Sequence, residues 1–339
     1  MSTPQQSPDT GGPVIVTEGL AKTFPSPGGA VAAVQGVSIE VGHGEIFGFL
    51  GPNGAGKTTT LRMLTTLLPI DAGTATVAGL DVARRPEAVR ARIGYVSQMG
   101  GADDLATGRE NLILQGRLYG GDLASVTERT GHLMELLDLG EFADRRVKTY
   151  SGGQRRRLDV ALGIVHRPQV LFLDEPSTGL DPQNRANLWD HVRDLRDQGT
   201  TVFLTTHYLE EADALCDRLV IMDHGEIVTE GTPLELKRQV AGESVVLSLR
   251  QGVEDVGPAS RLLEAQPYVR ELTGTDDQIL LYVEDGSVAL PQILRLLDGA
   301  GIGVRSMSIS EPTLDDVFLH QTGRSLRDAG TRPTEETAA

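Results

Sequence analysis

The run GPNGAGKTT at 51–59 sets three glycines, a lysine and two threonines between an apolar segment and a helical one. Gly51, Gly54 and Gly56 let the backbone wrap an anion without Cβ clashes, with its N–H groups aimed inward. A helix expected over 57–68 starts at the same place, and its dipole favours negative charge there. Lys57 supplies a point charge for β- and γ-phosphates, and the Thr58 hydroxyl is placed to ligate Mg2+. Pro52, Asn53, Ala55 and Thr59 complete a loop that satisfies GxxxxGK followed by Ser or Thr, between a strand and a helix. A second run, VLFLDEP at 170–176, is an apolar strand ending in two carboxylates. Side chains alternate along a strand, so Asp174 and Glu175 diverge and take different work. Asp174 is the natural Mg2+ partner, and Glu175 the general base that polarises an attacking water. Together the two runs indicate a nucleoside triphosphatase.

A third run, YSGGQRRRLDVALG at 150–163, carries a second anion-binding helix start. Ser151, Gly152, Gly153 and Gln154 present a hydroxyl and exposed amides there. The helix they open leads directly towards the 170–174 strand, so both phosphate-binding ends do not easily face one nucleotide. A second copy of the chain resolves this, each copy closing its 151–154 segment over the nucleotide on the other's glycine loop. The arginines at 155–157 are expected to be solvated or paired with acidic neighbours rather than to bind nucleic acid.

Elements must hold these residues in place. From about 13 to 235 strands and helices alternate, the pattern of a largely parallel sheet covered by helices. Runs at 46–50, 170–173 and 201–206 predict buried strands, and Leu188, Val192 and Leu195 recur at helical spacing between the last two. A helical run over 208–219 contains the single cysteine, Cys216, expected as an inert, half-buried thiol. Beyond 243 the order βαββαβ predicts a small α+β, ferredoxin-like module, with strands at 244–250, 269–272, 278–283 and 303–308 and helices at 259–266 and 290–298. A last helix follows Pro312, with Leu314, Val317 and Phe318 on one face. The expected division is a disordered tail at 1–12, an ATPase domain at 13–240, an accessory domain at 241–324, to which only a family resemblance adds a dimerisation role, and a disordered tail at 325–339.

A length of 339 residues also favours two domains over one core. The 47 acidic against 31 basic residues give a net charge of −16, which repels phosphate backbones and disfavours nucleic-acid binding. One cysteine excludes an internal disulfide. No run approaches the ~18 apolar residues that span a bilayer, and the N-terminus lacks a signal-peptide order. The expected location is therefore cytoplasmic, with membrane work done through a partner.

GPNGAGKT at 51–58, YVSQ at 95–98, YSGGQ at 150–154, VLFLDEP at 170–176, STGLD at 177–181 and TTH at 205–207 follow one another in a known order. Over nearly all of 13–235 the chain resembles the ATP-binding subunits of ABC transporters. The resemblance implies a P-loop NTPase cassette of α/β class with a helical subdomain, using ATP and Mg2+. It implies that Gln98 senses Mg2+ and the attacking water while linking to the membrane subunit. His207 would contact the γ-phosphate and hold Glu175, and Asp181 would reach the partner's site. Phe24, in AKTF, stands where an aromatic ring stacks on adenine, a ring that is Tyr in many members. Tyr150 departs from the commoner Leu, without touching the phosphate-contacting residues after it.

DDLATGRENLILQGRLYG at 103–120, TTHYLEEAD at 205–213 and EPTLDDVFLHQTG at 311–323 are similar to the daunorubicin/doxorubicin-resistance ATP-binding proteins of actinobacteria. That implies the homodimeric ATPase of an exporter, peripheral on the cytoplasmic side of the cell membrane, driving a drug, antibiotic or other hydrophobic compound through a separate permease. A solute-importer ATPase and a non-transport ABC ATPase remain as alternatives. The nucleotide motifs are common to all of them.

Overall fold

Short apolar runs without polar alternation are what strands covered on both faces need, and Ile46–Leu50, Val170–Asp174 and Thr201–Thr206 are buried along their whole length. The computed structural model describes residues 12–326 apart from 28, 240–242, 276 and 311. Most of the two expected tails, 1–11 and 327–339, lies outside the described residues. The chain divides into two units, one running through Pro233 and taking in Leu326, the other Leu234–Ser325. The second unit begins within the helix Pro233–Gln239, which directly follows the last strand of the first unit.

The first unit is built on a six-stranded sheet. Its order is Glu226–Gly231, Arg218–Asp223, Ile46–Leu50, Thr201–Thr206, Val170–Asp174 and Ile93–Val96. All neighbours run parallel except the first pair. Phe47, Phe49, Phe172 and Phe203 knit three of these strands through tilted and stacked rings, with centroids as close as 4.8 Å. A four-stranded antiparallel sheet of Ile15–Ser26, Gly29–Val41, Ala72–Val77 and Leu80–Asp81 packs into the same core. The helices Gly108–Leu118, Leu123–Leu136 and Gly152–Ile164 form the expected helical insertion.

Two local expectations fail. The helix after the glycine loop is Lys57–Leu64, shorter than 57–68. Thr65 turns its hydroxyl back onto the Leu61 carbonyl at 2.9 Å and Thr66 takes φ 64°, so the Leu67 and Leu68 amides return to Arg62. The 208–219 run splits into a helix, Leu209–Leu215, and the strand Arg218–Asp223. Cys216 caps the helix in extended conformation and is fully buried against Gly48, where a Cβ would come within 2.4 Å of its sulfur. Burial pushes its thiol well above the usual cysteine range, so it is inert at neutral pH.

In the second unit four antiparallel strands lie in the order Val269–Gly274, Gln278–Val283, Glu243–Leu249, Val304–Ser310. Two helices, Val253–Glu264 and Gly286–Gly299, close its core through Leu263, Ile293 and Leu297. This is the ferredoxin-like arrangement. Both helices start earlier than expected and carry Pro258 and Pro291 inside them. At the second, the Asp285 carboxylate caps the Val288 amide at 3.1 Å and Ala289 is buried. The cap and the packing outweigh the proline signal. The last helix, Leu314–Thr322, buries Leu314, Val317 and Phe318.

Candidate nucleotide site

Ligands of parallel sheets sit beyond the carboxyl ends of the strands. Here the four strands ending at Leu50, Thr206, Asp174 and Val96 are immediate neighbours. Their ends deliver, side by side, the glycine loop, His207, Glu175 and Gln98. A cavity of roughly 660 Å3 opens there, lined by Phe24, Ala33, 53–59, Gln98, Glu175, Thr178 and His207. Two glycines are obligatory. A Cβ on Gly51 would meet the Met222 carbonyl at 2.3 Å. Gly56, at φ 101°, would drive one to 2.4 Å from the Ala33 carbonyl.

Lys57 is 4% exposed, and its ammonium donates to the carbonyls of Gly51 at 2.7 Å and Pro52 at 3.0 Å. Burial lowers its pKa to about 8, with Glu175 and Asp174 opposing. A polyphosphate beside it favours the charged form. ATP binding slightly above pH 8 is therefore expected to take up a proton, and well below pH 8 to take up none, because the lysine is already charged. Calorimetry in two buffers of different ionisation enthalpy reads this directly; buffer-independent heats above pH 8 would contradict it.

Asp174 is buried, and its Oδ1 accepts from the Thr58 hydroxyl at 2.9 Å and the Thr205 hydroxyl at 2.7 Å. A hydroxyl and a carboxylate of hard oxygen character, joined beside a phosphate loop, fit Mg2+ held mainly by nucleotide phosphates. Among the described residues there is no group of three or more His, Cys, Asp or Glu that could hold a metal ion.

Glu175 stands just past the strand end with φ 45°, the left-handed region that non-glycine residues rarely occupy. The reversal, more than strand alternation, separates it from Asp174. Its Oε2 accepts from Gln98 Nε2 and the Thr178 hydroxyl, each at 3.3 Å. Its Oε1 lies 3.3 Å from His207 Nδ1 and 3.9 Å from Lys57 Nζ. His207 foremost, and then Lys57, hold the carboxyl below the usual carboxylate range, against the opposing effect of burial. It is ionised at neutral pH and available to accept a hydrogen bond from water. Phe24 is half-buried at the cavity wall, with Lys22 Nζ 5.6 Å from its ring centre.

Ser151, Gly152, Gly153, Gln154 and Asp181 do not line this cavity. Ser151 and Gln154 form a reciprocal capping box at the start of Gly152–Ile164. Asp181 caps Pro182–Asp197 by accepting from Asn184. Gly153 touches the same Asn184, where a Cβ would lie 2.3 Å from its Oδ1. The two helix starts thus meet at the buried Gly153, with Ser151, Gly152 and Asp181 exposed around it.

The sequence reading missed two groups. Thr205 holds Asp174 through its hydroxyl, which also accepts from the Glu175 amide at 3.1 Å. Arg156, expected at the surface, is 7% exposed and donates to the carbonyls of Pro176, Ser97 and Asp174. Only its neighbours meet the expectation: Arg155 pairs with Asp104, and Arg157 lies 3.7 Å from Asp138. The available signal is that Arg156, Val160 and Gly163 share one helix face, and that face is buried.

Residues 34–178 match the family model described as ABC transporter, and 231–322 match the C-terminal domain of DrrA1-3-like ATP-binding proteins. The chain is 45% identical over 324 residues to the daunorubicin/doxorubicin resistance ATP-binding protein of Streptomyces peucetius, covering 96% of each. It is 38% identical to the Nod factor export ATP-binding protein I of Ralstonia nicotianae, covering 93% of this chain and 96% of that one. The fold is similar to that of an ATP-binding cassette solved in its ADP conformation, with TM-score 0.59 and 26% identity, over 67% of this chain and 94% of that one. No helix among the described residues is long and apolar enough to cross a membrane.

Proposed function

The chain belongs to the ATP-binding proteins of ABC transporters, ATP hydrolases coupled to transport, and from that premise we propose that it energises an exporter of hydrophobic drugs or antibiotics. In this reading it works as a homodimer on the cytoplasmic face of a separate membrane permease. The observation that carries the ATPase half is the meeting of Lys57, Gln98, Glu175 and His207 in one cavity with the glycine loop. The exporter half is supported by relatives named for drug resistance and for Nod factor export.

Phe24 stacks on adenine, and the amides of 53–59 with Lys57 hold the phosphates. Thr58, Asp174 and Gln98 would hold Mg2+, which would supply charge neutralisation to the phosphate oxygens. Glu175 accepts a hydrogen bond from a water in line with the γ-phosphate. The water oxygen bonds to phosphorus as the bond to the β-phosphate oxygen breaks, releasing ADP and phosphate. His207 fixes the Glu175 carboxylate and reaches the γ-phosphate. Ser151, Gly152, Gly153, Gln154 and Asp181 complete the site of a second copy. Beside Gln98, Met99 is 88% exposed, an apolar contact suited to the permease.

Co-expression with a candidate membrane permease tests the reading. Cells carrying both are expected to accumulate less anthracycline than cells carrying the permease with Lys57→Ala. Uptake that depends on an external solute-binding protein would favour an importer. Co-sedimentation with ribosomes instead of membranes would overturn the transport reading.

A further inference from the structure

The helix Gly152–Ile164 begins at the 151–154 segment, where Ser151 and Gly152 are exposed, and then grips two catalytic loops of its own chain. Arg156, third residue beyond Gly153, sends one guanidinium nitrogen to the Ser97 carbonyl at 2.7 Å, directly before Gln98. Its other two nitrogens reach the carbonyls of Pro176 at 2.7 Å and Asp174 at 3.2 Å, which bracket Glu175. One turn further on, the Asp159 carboxylate accepts from the Gly101 amide at 3.0 Å. Gly100, at φ 75°, lies so close to it that a Cβ there would come within 2.5 Å of Asp159 Oδ2. On the outer side, Arg155 binds the Asp104 carboxylate at 2.6 Å, pinning the far end of the same loop.

Arg156 and Asp159 are 7% and 6% exposed. Breaking either set of bonds strands buried polar groups, so the loops follow the helix when it moves. A helix is a stiff element, and rigid elements with packed contacts at both ends can carry coupling between sites. Its free end is the segment that, in the dimeric reading above, meets the other copy's nucleotide. On that reading we propose that Arg156 and Asp159 are positioning residues that carry nucleotide engagement at 151–154 to Gln98 and Glu175 of the same chain. Hydrolysis at a chain's own site then depends on what its 151–154 segment has engaged.

The test is steady-state hydrolysis by the full chain, with its permease, for Asp159→Ala, Asp159→Asn and Asp104→Ala. Asp159→Ala is expected to lower kcat on the order of tenfold, within the usual range for coupling between sites. Its Hill coefficient for ATP should fall to about one, with nucleotide Kd in the non-hydrolysing state unchanged. Asp159→Asn keeps an oxygen for the Gly101 amide and is expected to restore most of both. Asp104→Ala frees the loop's outer anchor without touching the core, and should produce a smaller loss in the same direction. It carries the test by itself if Asp159→Ala does not fold. Wild-type kcat and Hill coefficient in the folded variants would overturn the proposal, and so would a Kd that weakens in step with kcat. The dimeric reading fails separately, if hydrolysis proves independent of 151–154 altogether.

Discussion

Glu175→Gln is expected to bind ATP as well as the native chain or better, and to turn it over roughly 10²–10⁴ times more slowly, the usual contribution of a general base. Gln keeps the shape of Glu and one acceptor oxygen, so the contacts from Gln98 and Thr178, both at 3.3 Å, have a partner to return to. What is lost is the negative charge that His207 and Lys57 hold in the ionised state. A neutral amide polarises water weakly and takes no proton. It also repels the γ-phosphate less than a carboxylate does, which is why affinity does not fall. With binding intact and hydrolysis slowed, the ATP-bound assembly should accumulate. Size-exclusion chromatography in ATP and Mg2+ should then show a dimer that the native chain forms only transiently. Near-native turnover in this variant would remove Glu175 from the mechanism.

Ser151→Arg addresses the other half of the site. The segment 151–154 is outside the cavity formed by the glycine loop of its own chain, so a bulky cation there should leave nucleotide affinity of the isolated chain unchanged. Hydrolysis should fall to background, because in the dimer proposed above the helix start offered to the second copy's γ-phosphate is blocked. Lys57→Ala fails for the opposite reason: its own phosphate loop has lost the buried ammonium, while its 151–154 segment is sound. Mixing the two dead variants builds, in a fraction of dimers, one site with both halves intact. Recovery of part of the activity is the expected result. If the Ser151→Arg chain alone binds ATP much more weakly, the segment serves its own nucleotide and the cross-chain scheme is wrong.

The phosphate loop is legible in the sequence because its geometry is local. Glycines, a lysine and the strand-to-helix junction are adjacent in the chain, and the same residues that bind phosphate also dictate the backbone. Capping explains why 151 reads correctly as a helix start, since a cap involves residues only three apart. The ferredoxin-like order of the second unit followed from strand spacing. Its helix starts did not, because proline signals were outweighed by the Asp285 cap and by burial.

What the sequence alone determined, then, is a phosphate loop with its lysine and a strand ending in two carboxylates, the residue types of a nucleoside triphosphatase. The tertiary structure decided which of those groups meet. Gln98, Glu175 and His207 come together because Ile93–Val96, Val170–Asp174 and Thr201–Thr206 are neighbouring parallel strands, a pairing between segments far apart in sequence. The φ of 45° that swings Glu175 away from Asp174 is fixed by Thr205 on the next strand. Arg156, one of three consecutive arginines, is singled out by burial alone. Its three carbonyl partners lie on two separate segments, and only the folded chain brings them within reach of one guanidinium.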